Sequence, residues 1–242
     1  MTPPVHEHSK RSAVRWLDEV PGHWAVCALN FRYEVDLGKM LDEKRITGEH
    51  LGPYLRNVDV QWGTINIVDL PVMDFRGEDL KRYALRVGDL LVCEGGEVGR
   101  AAVWKGELET CFYQKALHRL RPRNCRTDDP QFLFYSILAA AKGGIFSEGK
   151  STISHLTAEK LRRYPFPFPP ISEQISVAAF LDRETTRIDQ LIDKKRRFLD
   201  LADERWRATL DTVICGSIGF RPEMIVEVRA NMSGRLSPIE WI

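Results

Sequence analysis

The sequence predicts an α+β fold in which a mixed α/β domain is followed by one long coiled-coil helix. Three features predict this organisation. Across residues 16–170, short apolar stretches alternate with turn residues, as in a domain of short strands and helices. Residues 172–214 contain neither glycine nor proline, although prolines are frequent just before them. Apolar residues recur in this second segment at heptad spacing, which indicates a helix that packs along another helix.

Within the α/β domain, the periodicity of apolar residues predicts strands first and helices later. Residues 85–93 are typical of a turn followed by a buried strand, residues 99–104 of a second strand and residues 112–120 of a third. The spacing changes to that of a helix over residues 130–142, and residues 157–163 predict one more short helix.

The long helix is expected to begin at Ser172, whose hydroxyl suits an N-cap, with Glu173 in its first turn. At 1.5 Å per residue it would extend about 65 Å. Its seam has these apolar heptad positions: Ala178, Leu181, Ile188, Ile192, Leu199, Ala202, Trp206 and Val213. Leu191 and Phe198 lie one position off these rows and widen the apolar surface. Such a helix cannot cover its own seam, so we expect it to pack along another helix, from this chain or a second one.

Composition excludes several classes of protein. The chain of 242 residues has a formal net charge of +1, so bulk charge does not predict nucleic-acid binding. No apolar run approaches the roughly 18 residues that a membrane span requires. The N-terminus lacks the order of a signal peptide. The 5 cysteines include no pair at CxxC spacing, which disfavours a disulfide framework or a zinc site. We therefore expect a cytoplasmic protein with reduced thiols.

Signatures of catalysis are missing from the sequence. It contains no Gly-x-Ser-x-Gly, Walker A or His-Glu-x-x-His pattern, and residues 95–99 do not fit the glycine spacing of a dinucleotide-binding loop. The histidines show no ligand spacing apart from His6 and His8 near the N-terminus. We therefore expect no catalytic residue, no metal site and no cofactor in this chain.

Several motifs together resemble the type I restriction-modification specificity subunits. The helix carries the most specific one, at residues 169–174 with its continuations at 179–185 and 187–195. The others occur in the family's order at residues 16–24, 54–57, 88–92 and 95–100. One departure is the pair Glu94 and Glu97 beside Gly95 and Gly96, where the family often has basic or small polar residues.

The resemblance implies a non-catalytic subunit whose target recognition domain, residues 16–170, reads bases in one half of a split DNA site. The conserved helix, residues 171–215, would act as a spacer and dock methyltransferase subunits. Those subunits would bind S-adenosylmethionine, and the restriction subunit would join through the complex. Residues 1–170 have a net charge of only +2, so we expect weak affinity for DNA without the methyltransferase.

A short sequence pattern that occurs twice in the chain indicates its domain organisation. The pattern of residues 12–17 recurs at residues 237–242, so residues 216–242 resemble the start of a second repeat. We therefore expect residues 1–15 to form a flexible arm and the chain to be a half-length form with one recognition domain. Two copies would then pair through their long helices and read an inverted, interrupted repeat.

Base-reading residues are expected outside the shared motifs, because a motif common to proteins that read different sequences cannot encode one sequence. Residues 39–50 and 143–155 are such segments. Their polar side chains, together with those around residues 54–57, give these candidate DNA contacts: Lys39, Lys44, Arg45, Tyr54, Arg56, Asn57, Gln61, Lys150, Ser151, Thr152 and His155. The expected helix interface consists of Leu181, Ile188, Leu191, Ile192, Phe198, Leu199 and Trp206.

Each of these candidates has a structural alternative. Arg56 and Asn57 could satisfy a buried turn, and residues 150–152 could form the turn before a helix. The basic residues 115–126 could contact phosphates or form a solvated face. Leu191 and Phe198 could pack on a methyltransferase or on the chain's own domain.

Two classes of function remain from the sequence. The first is a DNA-reading specificity subunit. The second is a coiled-coil adaptor whose head binds protein, or a decoy that binds the methyltransferase without productive DNA recognition.

Overall fold

The computed structural model describes residues 9–12, 14, 16–40, 47–147 and 155–218. The chain divides into two compact units, with the boundary between Asp182 and Arg183. This boundary lies inside the long helix, whereas the sequence predicted a boundary at residue 170. The boundary lies within the helix because the first turns of the helix pack on the α/β domain.

The main sheet has four antiparallel strands in the order β10 (Ala101–Val103), β9 (Leu90–Cys93), β12 (Leu117–Pro122) and β4 (Tyr33–Leu37). Every residue of β9 is buried, as the sequence predicted for a central strand. The single strand expected over residues 112–120 is wrong: the chain turns at residues 114–116 and divides this segment between two sheets.

The first half of that segment, β11 (Phe112–Tyr113), runs parallel to β5 (Leu51–Leu55) in a second sheet. The antiparallel neighbour of β5 is β8 (Val72–Asp74). Gly38, just after β4, comes close to the turn between β11 and β12. A Cβ atom at Gly38 would lie 2.2 Å from the carbonyl oxygen of Gln114, so this approach of two backbones requires glycine.

Three smaller antiparallel ladders complete the α/β domain. They pair β1 (Ser9–Arg11) with β2 (Glu19–Pro21), β3 (Ala25–Ala28) with β13 (Pro165–Phe168), and β6 (Val60–Gln61) with β7 (Thr64–Ile65). The strand β1 corrects the expectation of a flexible arm for its three residues. The prolines of β13 are tolerated because a two-stranded ladder leaves an edge on which no N–H is needed.

Helices α1 (Glu78–Arg82), α2 (Pro130–Lys142) and α3 (Ala158–Arg163) belong to this domain. The carboxylate of Asp129 caps α2 by accepting the N–H of Phe132 at 2.8 Å. The apolar face of α2 covers the main sheet, where it shares a core with residues of β4, β9 and β12. The predicted helices over residues 130–142 and 157–163 are therefore present.

The long helix α4 spans Ile171–Ile218. It begins one residue before Ser172, which is therefore not its N-cap, and it continues to Ile218, past the end at residue 215 that the sequence predicted. At 1.5 Å per residue its 48 residues extend about 72 Å. The second copy of the repeated pattern, at residues 237–242, lies outside the described residues. No helix in the described part of the chain combines the length and the apolar character that a membrane crossing requires.

Candidate nucleic-acid interface

Two of the shared motifs meet at the start of α4. Glu173 accepts a hydrogen bond from Trp24 Nε1 at 2.8 Å through one carboxylate oxygen, and its other oxygen lies 2.8 Å from His23 Nε2. His23 and Trp24 end the motif at residues 16–24, whereas Glu173 belongs to the motif at 169–174. Their partnership holds the helix on its own domain, so these motif residues have an architectural role.

Gln174 makes a second anchor and is fully buried. Its side-chain oxygen accepts the backbone N–H of Asp129 at 2.9 Å. Its amide nitrogen donates to the carbonyls of Thr127 at 3.0 Å and Pro169 at 2.8 Å. All of these partners are backbone groups, so Gln174 ties the helix to the loop that precedes α2, whatever side chains that loop has.

The anchoring continues for two further turns of α4. Ala178 is buried, and Asp182 Oδ1 accepts hydrogen bonds from Gln131 Nε2 at 2.8 Å and from the Tyr135 hydroxyl at 2.6 Å. Residues 174, 178 and 182 lie on one face because of their spacing of four. The predicted interface residue Leu181 is half-buried in this region. The other predicted interface residues, from Ile188 onward, belong to the second unit.

The polar side chains of residues 54–59 bind one another and the segment that joins β9 to β10. Arg56 forms a two-pronged ion pair with the buried Asp59, at 2.9 and 2.8 Å, and this hydrogen bonding raises the pKa of Arg56. Asn57 donates to the carbonyl of Gly95 at 3.0 Å and accepts from Arg100 at 2.8 Å. Tyr54 is buried.

The remaining candidate DNA contacts are placed as follows. Lys39 Nζ lies 2.7 Å from Asp79 Oδ2, donates to the carbonyl of Asp74, and lies 4.9 Å from the ring centre of Phe75. Gln61 is exposed and donates to the carbonyl of Val58 at 2.8 Å. His155 is exposed near Gly95. These candidates lie outside the described residues: Lys44, Arg45, Lys150, Ser151 and Thr152.

The far end of the first predicted base-reading segment is fixed by Asp74, a residue that the sequence analysis missed. The Asp74 carboxylate accepts the backbone N–H groups of Thr47 at 2.5 Å, Gly48 at 3.3 Å and His50 at 3.0 Å. The Thr47 backbone N–H contributes most to holding the pKa of Asp74 far below its usual value, against the opposing effect of burial. No sequence pattern marks Asp74 for this role, because the groups that donate to it are backbone N–H groups 24 to 27 residues earlier in the chain.

The far end of the second segment is fixed by a strand and a histidine. The backbone N–H of Leu156 donates to the carbonyl of Glu94 at 2.9 Å, and the carbonyl of Leu156 lies 2.5 Å from His118 Nε2. Burial lowers the pKa of His118, so its ring is neutral near pH 7 and Nε2 donates to this carbonyl. At the start of the segment, Phe146 packs where Gly99 lacks a side chain.

Both segments attach to the turn at residues 113–117. On one side, Lys39 donates its backbone N–H to the carbonyl of Tyr113 at 3.1 Å and accepts the N–H of Lys115 at 2.8 Å. On the other side, Glu94 donates its backbone N–H to the carbonyl of Ala116 at 3.0 Å, and Glu94 in turn holds Leu156. The fold thus brings to one turn two segments that are about 100 residues apart in sequence.

The basic run at residues 115–126 is not a uniform cationic face. Arg119 is buried and lies 2.5 Å from Asp36, and Arg121 makes two bonds of 2.7 Å to the buried Asp89. Both arginines lie on β12 and hold the main sheet together. By contrast, Lys115 and Arg126 are exposed. In the described part of the chain, no cluster of three or more His, Cys, Asp or Glu side chains is placed to hold a metal ion.

Comparison with known proteins places these features in a family. Residues 42–197 match the model of the type I restriction modification DNA specificity domain. A putative type I restriction enzyme MjaX specificity subunit from Methanocaldococcus jannaschii is 27% identical over 172 residues, covering 68% of this chain and 40% of that protein. The chain therefore spans less than half the length of this curated relative.

A solved structure has the same fold, and a second one is reported beside it. A chain from a study of the complex assembly and conformational transition of the type I restriction-modification system superposes with a TM-score of 0.62 at 21% identity, covering 80% of this chain and 46% of that one. The HsdS subunit of Thermoanaerobacter tengcongensis is similar with a TM-score of 0.49 at 19% identity, covering 71% and 40%. On the match of the family model, the chain belongs to the type I restriction-modification DNA specificity family.

Proposed function

We propose that this chain reads one half of a bipartite double-stranded DNA site and docks the methyltransferase subunits that modify it. The restriction subunit joins through that complex. S-adenosylmethionine binds to the methyltransferase, and this chain holds no cofactor and performs no chemistry. The complex works in the cytoplasm. Beyond membership of the family, we thus propose which part of the DNA site this chain reads, which subunits it binds, and that those subunits perform the chemistry.

One observation supports the proposal: the first segment outside the family motifs begins at the turn of residues 113–117, and the residue after the second is linked to that turn through Glu94, whereas the motif side chains bind within the domain. Arg56, Asn57 and Glu173 each have partners in the fold. This is the arrangement expected of a scaffold that holds the flanks of variable segments, because fixed flanks limit the conformational entropy lost on binding DNA. We assign base reading to side chains within residues 39–50 and 143–155.

The second unit supports the proposal of self-association. Its helix exposes large apolar side chains along its length: Ile188, Leu191, Ile192, Phe198, Leu199, Leu201, Trp206, Val213 and Ile214. We propose that the long helix of a second copy covers the heptad row, and that a methyltransferase subunit covers the flanking pair, Leu191 and Phe198. A two-fold dimer of this kind would read an inverted, interrupted repeat.

The test is to map methylated sites in cells that carry this chain and its methyltransferase, beside cells that carry the methyltransferase alone. We expect methylation at one interrupted, inverted sequence only when this chain is present. A complex that forms without sequence-dependent methylation would identify a decoy. Failure to form the complex would favour the adaptor, whose head binds protein.

A further inference from the structure

The turn that joins β11 to β12 carries Lys115 between the two segments assigned to base reading. Its backbone N–H is bonded to Lys39 at the start of the first segment, and the adjacent Ala116 is bonded to Glu94, which holds the end of the second. Lys115 is therefore bonded directly to the start of the first segment, and one residue along the turn leads through Glu94 to Leu156, the residue that follows the second.

Lys115 differs in its bonding from the other cations near the turn. Lys39 is paired with Asp79, Arg119 with Asp36, and Arg56 with Asp59. Within the described residues, the exposed Lys115 side chain has no hydrogen bond or ion pair. Its ammonium group can therefore take a new anionic partner without breaking a bond of the fold.

The acidic residues near the turn are largely neutralised by the same pairs. Asp36, Asp59 and Asp79 share their charge with the cations just named. Glu97, in the loop after β9, accepts the Trp62 Nε1–H at 2.6 Å and lies 3.7 Å from Lys142 Nζ. Glu94 is half-buried, with its backbone directed to the turn. A phosphate beside Lys115 thus meets carboxylates that already have cationic or hydrogen-bonding partners.

We infer that Lys115 binds a backbone phosphate of the DNA that the two segments read, beside the described residues Lys39 and Leu156 that flank them. This inference rests on the proposed function and adds a residue to it. Contacts to phosphates position a protein on DNA but carry no sequence information. Lys115 therefore contributes to affinity for every sequence, whereas the choice of sequence belongs to the neighbouring loops.

The test compares Lys115→Gln with Lys105→Gln in the assembly of the full chain with its methyltransferase. The two variants change net charge equally, and Lys105 is exposed like Lys115. Lys105 differs in position, because it follows β10 at the opposite end of β9. Binding to the methylated sequence and to random duplex DNA is measured across a range of salt concentrations.

For Lys115→Gln we expect affinity to fall about fivefold to tenfold near 0.1 M salt for both DNAs, and the slope of log K against log salt to decrease by about 0.9. The methylated sequence and the melting temperature should be unchanged, and Lys105→Gln should behave as the unsubstituted chain. Equal behaviour of the two variants overturns the inference, as does a changed recognition sequence. Absence of salt-sensitive binding by the unsubstituted assembly overturns the proposed function itself, and the inference with it.

Discussion

The side-chain oxygen of Gln174 accepts the backbone N–H of Asp129, the residue whose own carboxylate caps α2. One glutamine thus links the start of the long helix to the start of the helix that covers the main sheet. Because both ends of this link are fixed by further hydrogen bonds, the first turns of α4 are part of the α/β domain.

Replacing Gln174 by Ala should destabilise the domain by about 3 kcal/mol, because the N–H of Asp129 and the carbonyl of Pro169 would lose the hydrogen bonds that Gln174 makes with them. The free energy of unfolding in urea measures this change. Gln190→Ala is a matched control, since Gln190 is exposed on the same helix and should change stability by less than about 0.5 kcal/mol. Equal effects of the two substitutions would show that Gln174 is not an anchor.

Asp74 should make stability depend on pH in the acid range. Its pKa in the folded protein lies below the value of about 3.9 in the unfolded chain, so its contribution is complete above pH 4 and is lost as pH falls below that value. Asp74→Asn should lower stability at pH 7 and weaken the decrease between about pH 4 and 2. Unfolding at several pH values measures this effect. An unchanged acid profile would contradict the prediction.

Gly38→Ala should destabilise the domain and weaken DNA binding, because a Cβ atom there would collide with the backbone of Gln114. Backbone atoms in paired strands have little room to move, so we expect a loss of about 3 kcal/mol. For Gly77→Ala we expect about 2 kcal/mol and unchanged DNA binding, because a φ of 50° with a ψ of −114° strains any residue other than glycine, although open space surrounds the new atom. Thermal melting and DNA affinity of both variants provide the test.

Asn57→Ala should lower stability by about 1 to 2 kcal/mol and leave the recognised DNA sequence unchanged. The Asn57 side chain bonds to Gly95 and Arg100, so its loss leaves the Gly95 carbonyl without this donor, whereas Arg100 keeps its bond to the backbone carbonyl of residue 57. Methylation mapping alongside urea unfolding separates stability from recognition. A changed methylation sequence would show instead that Asn57 reads a base.

Leu191→Ala combined with Phe198→Ala should weaken binding of the methyltransferase and leave self-association intact. These side chains are 50% and 70% exposed and lie beside the heptad row. In the complementary variant, Ile188→Ala with Leu199→Ala, self-association should weaken first. Light scattering at tens of micromolar and pull-down of the methyltransferase measure the two interactions. Parallel losses in both variants would mean that one surface serves both partners.

Local pattern in the sequence predicted the long helix, α2, α3 and the buried strand β9, because periodicity and helix capping depend on near neighbours. It failed at residues 112–120, where alternation continues across a turn that moves the chain to another sheet. The candidate DNA contacts stay predictions. Their residue types suit base recognition, but the partners that occupy Lys39, Arg56 and Asn57 are fixed only in the fold.

The sequence by itself determined the family, the order of domain and helix, and the segments that lie outside the shared motifs. Only the tertiary structure decided that those two segments attach to one turn beside Lys115, and that His23, Trp24 and Gln174 hold the helix on its domain. The physical reason is distance along the chain. Hydrogen bonds between residues about 150 positions apart, such as Trp24 to Glu173, leave no periodic trace in the sequence.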